Sequence, residues 1–179
     1  MKINTSKTKW DLKKFLRLLV KDNPSVWEWL SSDIKYTNNN FFTELKNIYK
    51  KSFSKYKLKK HYLSMAKQNF EKYINKNLDV NLKKYIYVLR SIACMNFIKE
   101  MKSPPPKNYN EVIEYLPENI QIFFEKIIKD KINSESKEGK RDREVDNYIT
   151  SFWNKDFKKD KDNFNVQNLN GIFKKIQQI

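Results

Sequence analysis

The chain has 179 residues, of which 39% are hydrophobic and 32% charged, with a formal net charge of +16; this supplies enough apolar material for a core and argues against wholesale disorder. Two glycines, Gly139 and Gly171, leave no phosphate-cradling loop of the P-loop or dinucleotide type and too few turn residues for an all-β fold. One cysteine, Cys94, and one histidine, His61, exclude an internal disulfide, a cysteine-based zinc site and a multi-histidine metal centre.

Taken in order, the elements repeat a helical period. Leu12, Phe15, Leu16 and Leu19 fall at i, i+3, i+4 and i+7, with Thr8 and Asp11 as a capping pair. Asn23-Pro24 ends that helix, and Asn23 caps a second one with Pro24 in its first position. Residues 31–40 read as a loop, extended over Ile34–Tyr36, and Asn40 caps a helix through Tyr49. Ser54 opens a longer helix to about Lys76, and Asp79 caps another to about Met101. Ser103-Pro104-Pro105-Pro106 stops it, as a rigid spacer or a ligand for a proline-reading domain. Ile120, Phe123, Phe124, Ile127 and Ile128 form a further stripe; Val145, Tyr148, Ile149 and Phe152 form the next, across a charged loop at 133–143. A charge run at 155–162 precedes a last amphipathic helix carrying Leu169, Ile172, Phe173 and Ile176. The expected fold is all-α, an irregular bundle of about eight helices with no substantial sheet. A helical domain at 1–150 is followed by a charged linker and terminal helix at 151–179.

The charge is uneven. Residues 1–107 hold 24 Lys/Arg against 8 Asp/Glu, and residues 108–179 hold 13 of each. A positive field confined to one part suits a partner such as RNA or a nucleoside triphosphate. Coding bias explains the same charge, because 33 lysines accompany 4 arginines and 21 asparagines, as in an AT-rich genome. No run of 18 apolar residues and no signal-peptide h-region occur, so no membrane association and an intracellular, cytoplasmic location are expected.

Two central helices carry polar groups where a simple core would not. Tyr62, Ala66, Asn69 and Tyr73 share one face, with His61 and Met65 one position around. Lys83, Tyr87, Arg90 and Cys94 run beside the apolar stripe Leu82, Ile86, Leu89 and Ala93. Arg90 offers a planar fork to a phosphate or carboxylate, Lys83 or Lys84 a point charge, and Tyr62 or Tyr87 a hydroxyl or stacking face. The alternative is an ion pair of Arg90 with a group such as Glu28, and tyrosines that fill the core. His61 reads as a packed or phosphate-contacting histidine, with general-base chemistry as the alternative. Asn23 and Glu28 read as a helix cap and a dipole partner, or as a motif whose role the spacing leaves open.

Several segments together resemble the carboxy-terminal part of a family of predicted nucleotidyltransferases of the DNA polymerase β superfamily, found in bacteria, phages and large viruses. They are Trp10-Asp11-Leu12-Lys13-Lys14, Asn23-Pro24-Ser25 with Glu28-Trp29-Leu30, and His61-Tyr62-Leu63-Ser64-Met65-Ala66 with Asn69 and Tyr73. Lys83-Lys84-Tyr85-Ile86-Tyr87-Val88-Leu89-Arg90, Ala93-Cys94 and Pro104-Pro105 continue the pattern, so it covers about residues 9–140. The resemblance implies a preceding α/β domain with a Gly-Ser motif and paired aspartates that bind divalent metal. It also implies a helical part that closes the cleft over nucleotide or acceptor. This chain has no Gly-Ser motif and therefore no Asp-x-Asp pair following one. The expectation is a truncated, split-gene or mis-started product, with no catalytic or metal-binding residue of its own and no cofactor bound alone. Mg2+ is expected in the complete family enzyme, and a separately encoded catalytic domain is the expected partner. His61, Tyr62, Asn69, Lys83, Lys84, Tyr87 and Arg90 are the expected nucleotide or substrate contacts. The alternative is a basic helical RNA- or protein-binding module without catalytic activity.

Overall fold

The computed structural model describes residues 12–32, 41–133 and 138–159. The Thr8–Asp11 capping pair, the Ile34–Tyr36 segment, the Asn40 cap and the terminal amphipathic helix lie outside these residues. Eight helices and one two-stranded ribbon make up the described chain: α1 (Leu12–Val20), α2 (Pro24–Leu30), α3 (Phe41–Ser52), α4 (Lys55–Tyr73), β1 (Asp79–Asn81), α5 (Lys83–Met101), α6 (Asn110–Ile113), α7 (Glu118–Asn133), β2 (Glu138–Lys140) and α8 (Arg143–Thr150). The architecture is all-α. Contacts divide it into two units, the first holding α1–α3 and the second α4–α8.

In the first unit, Phe15 and Leu19 of α1 pack with Val26, Trp27 and Leu30 of α2 and with Leu45 and Tyr49 of α3. The Trp27 and Tyr49 rings stack with centroids 5.4 Å apart. The corner between α1 and α2 is a Schellman turn. The Asn23 N–H donates to the Leu18 carbonyl at 3.1 Å and the Asp22 N–H to that of Leu19 at 3.0 Å, with Asp22 at φ 52°. Glycine normally takes this left-handed position; a short polar side chain tolerates it when that side chain finds a partner. Asp22 does so, because its buried carboxylate accepts the Ser54 N–H at 3.2 Å and ties the far end of α3 to the corner. Asn23 then caps α2 by accepting the Ser25 N–H at 3.0 Å, with Pro24 in the first turn.

The second unit is built on the antiparallel pair α4 and α5. Helix α4 buries Leu58, Tyr62, Ala66 and Phe70, a four-residue repeat on one face. Helix α5 is buried on most sides, from Tyr85 and Ile86 through Val88, Leu89, Ser91–Met95 and Ile98. Such a helix needs apolar neighbours all round, and α4, α6, α7 and α8 provide them. Lys102, at φ 52°, closes α5 by donating its N–H to Ile98. Pro104 and Pro105 beyond it are buried, so this part of the proline tract belongs to the packing.

Asp79 does not cap α5. It opens a strand whose residues pair antiparallel with β2, Asp79 with Lys140, Val80 with Gly139 and Asn81 with Glu138. The burial of Val80 rewards the pairing, and Asn81 becomes the residue that accepts the Lys83 N–H, at 3.0 Å. A Cβ on Gly139 would come within 3.1 Å of the Leu82 side chain, so glycine opposite Val80 makes room for the entry into α5.

A buried polar group fixes α8. Asp146 accepts the Tyr85 hydroxyl at 2.7 Å on one oxygen and Arg141 Nε and Nη2, both at 2.8 Å, on the other. Arg141 Nη1 also donates to the Asn75 carbonyl at 2.8 Å, which fastens the end of α4 to the same knot. Burial, reinforced by the bond to Asp146, pushes the Tyr85 hydroxyl well above its ordinary pKa and keeps it a donor. Tyr85→Phe should lower stability by about 1 kcal/mol. Asp146→Ala, which strips Arg141 and Tyr85 of their shared acceptor, should cost about 3 kcal/mol. Urea denaturation of the two variants checks the order; equal losses would contradict it.

Candidate functional site

Helical geometry makes the start of α5 and the end of α4 neighbours, and here the polar residues converge. The Lys84 ammonium lies over the Tyr73 ring, 4.1 Å from its centroid, and 5.8 Å from that of Tyr87. Lys72 reaches the same Tyr73 ring at 5.0 Å. Two ammonium groups thus meet one phenol, and the described residues give neither of them a carboxylate partner. Glu71, adjacent in sequence, instead accepts the Asn75 amide at 2.8 Å. Tyr87 is 44% exposed and turns an aromatic surface outward one helical turn beyond Lys84. The first turn of α5 holds Lys83 and Lys84 and no acid, so the positive end of the helix dipole adds to the field.

The electrostatic consequence is visible at Tyr73. Its hydroxyl is held below the ordinary tyrosine value, first by hydrogen bonding from the Lys72 ammonium, then by the charge of Lys72 and, more weakly, of Lys84. A neighbouring cation favours the tyrosinate.

The other expected contacts are spread more widely. Tyr62 is 3% exposed, so its ring belongs to the core and offers no stacking face to solvent. Asn69 is partly exposed, one turn from Tyr73, and its amide nitrogen donates back to the Met65 carbonyl at 2.8 Å. Arg90 is partly exposed and makes a long contact, 3.5 Å, with the Lys107 carbonyl. His61 is partly exposed but lies twelve residues before Tyr73, about 18 Å along α4 at the rise of an α-helix. Asn23 and Glu28 sit on the first unit, Asn23 as the cap of α2 and Glu28 on its partly exposed face. Lys84 and Tyr87 are therefore brought together, Lys83 stands beside them, and His61 stands apart. Lys72 was absent from the expected contacts. On its own helix it reads as a solvated lysine, and only the register of α4 against α5 reveals its place.

Among the described residues no three His, Cys, Asp or Glu side chains gather where they could hold a metal ion, and no helix is long and apolar enough to cross a membrane. The cluster's own donors are ammonium and phenol groups, which do not fit a divalent cation such as Mg2+.

An all-α body with a cationic, aromatic face is the class of protein that the geometry defines, and sequence comparison gives the family. The chain belongs to the RlaP family, the RNA repair pathway DNA polymerase beta family, whose model matches residues 4–174. It is similar to the uncharacterized protein YcgL of Bacillus subtilis (strain 168), with 37% identity over 109 residues. That match covers 60% of this chain and 41% of the relative. No solved structure matches.

Replacing Lys72 with Met should raise the titration midpoint of Tyr73 toward the ordinary tyrosine value of about 10. Lys84→Met should raise it less. Ring-labelled tyrosine NMR, with Tyr73→Phe assigning the signal, reads both. An unmoved midpoint in Lys72→Met would remove the proposed cause.

Proposed function

We propose that this chain is the helical, substrate-contacting portion of a polymerase-β-type nucleotidyltransferase of RNA repair, and that a catalytic domain on a separate polypeptide supplies the metal centre. One juxtaposition carries the reading: in a chain of this family, Lys72 and Lys84 bring two ammonium groups to Tyr73 beside the exposed ring of Tyr87. Ammonium groups complement phosphate oxygens, and a phenol face complements a base. Lys83 and Arg90 extend the positive charge along α5, with His61 as a more distant phosphate contact on α4. Asn69 and Tyr87 orient base, ribose or acceptor, while Tyr62 holds α4 in place from the core.

In the complete enzyme Mg2+ would supply activation of an attacking hydroxyl and would offset phosphate charge, and none of the residues named above would hold it. In the proposed division of labour, the present chain binds and orients, and the ion is held by the acidic residues of the other polypeptide.

The test mixes the purified chain with the product of a gene that encodes the Gly-Ser and Asp-x-Asp motifs in the same genome, together with Mg2+, labelled nucleoside triphosphates and RNA. Transfer is expected only with both proteins, and Lys84→Ala should lower it about tenfold, the effect of losing roughly one charge-assisted phosphate contact. Transfer by the chain alone would overturn the division of labour. RNA binding without transfer in any mixture would favour a binding module without catalytic activity.

A further inference from the structure

Cations and aromatic rings at the α4–α5 junction invite a more specific question: whether they suit a free nucleotide or a polynucleotide. Between residues 55 and 107 thirteen Lys/Arg stand against three acids, Glu71, Asp79 and Glu100. The excess is laid along helices; it does not close around a point. Lys67, Lys72 and Lys76 mark the last turns of α4 and the chain just beyond it, and Lys83 and Lys84 the first turn of α5.

Two features favour a strand. A small ligand is ordinarily held in a concavity that buries most of its surface, whereas Tyr87 presents its ring on the outside of the helix pair. A triphosphate also travels with a divalent ion, and this cluster contributes no oxygen donor suited to one. An open aromatic surface flanked by a track of point charges is the arrangement that single-stranded nucleic acid requires, because each base has a face to stack and each linkage a phosphate to neutralise.

We propose that the Tyr73–Lys84–Tyr87 cluster with Lys72 is a docking site for an unpaired RNA strand. A base stacks on Tyr87, while Lys84 and Lys72 take the adjacent phosphates. Tyr73 is a positioning residue: its ring holds the Lys84 ammonium by cation–π attraction, 4.1 Å from the centroid, and the Lys72 ammonium at 5.0 Å. The two like charges are thereby kept together, and an anion relieves their repulsion. The inference rests on the reading of this chain as the substrate-contacting portion, and it assigns this site to the acceptor strand.

Fluorescence anisotropy of the full chain with a labelled, unpaired oligoribonucleotide of about ten nucleotides, within the site size of one single-strand module, tests it. Tyr87→Leu should weaken binding about tenfold with little change in salt dependence, and Tyr87→Trp should retain it. Lys84→Ala should weaken binding and reduce the slope of log affinity against log salt by about 0.7, one phosphate's share on a single strand. Tyr73→Leu should reproduce part of the Lys84→Ala loss, and Tyr73→Phe, which keeps the ring, less of it. Circular dichroism of each variant confirms the helical fold. Wild-type affinity in Tyr87→Leu or an unchanged salt slope in Lys84→Ala would overturn the site. Displacement of the RNA by equimolar nucleoside triphosphate would overturn the assignment to a strand. Transfer in the reconstituted mixture alongside wild-type RNA binding by both variants would sink this inference alone; strand binding at the cluster with no transfer would sink only the division of labour.

Discussion

The burial of α5 is the constraint on which the second unit depends. A helix that is apolar on most of its surface cannot rest against one neighbour; it has to be enclosed. The antiparallel return from α4 covers one side, and α6, α7 and α8 cover others. What remains outward is mainly its two ends: Tyr87 with parts of Lys83, Lys84 and Arg90 toward the start, and Lys99, Glu100 and Met101 at the finish. The polar cluster occupies the first of these open ends, where Lys84 is held against the rings of Tyr73 and Tyr87.

Buried acids serve the corners of the fold. Asp22 takes the Ser54 N–H and lies close enough to Tyr49 that its charge, added to burial, raises that hydroxyl far above its ordinary pKa. Asp146 takes Arg141 and the Tyr85 hydroxyl. Each carboxylate offsets the cost of its burial with hydrogen bonds from groups that must be brought together anyway. Asp22 thereby makes a left-handed turn tolerable without glycine, in a chain that has only two. Asp146 ties the ends of two segments that are far apart in sequence. In both cases the acid's partners are donors within the fold, a backbone N–H for Asp22 and the side chains of Tyr85 and Arg141 for Asp146.

The helices were legible because apolar positions repeat at the helical period wherever a face is buried, and because proline and asparagine mark ends with known chemistry. Asn23 caps α2, and α5 stops at Met101, as the sequence indicates. Asp79 was misread because the strand it opens exists through pairing with Gly139 and its neighbours, a contact between distant segments that no local window contains. At the candidate site, spacing placed the polar residues on α4 and α5 but gave no depth. Tyr62 and Tyr73 share a face by count, yet Tyr62 lies under the packing and Tyr73 at its rim. Lys72 lacked any signal on α4 alone, since its significance comes from a lysine on the next helix that meets the same ring.

The proposed separation of cationic and acidic parts has an electrostatic rationale. A metal centre for phosphoryl transfer gathers carboxylates, and carboxylates placed beside Lys72 and Lys84 would pair with them and neutralise the charge that a phosphate backbone seeks. Held on another body, those acids leave the ammonium groups unneutralised until substrate bridges the two. In the complex we propose, the strand would supply the counter-charge at the cluster and present its reacting end to the metal-bearing surface. On this view Tyr73 contributes without touching the reaction. By keeping two ammonium groups at one ring, it maintains a repulsion that binding removes, so affinity for the strand is stored in the free state of the site.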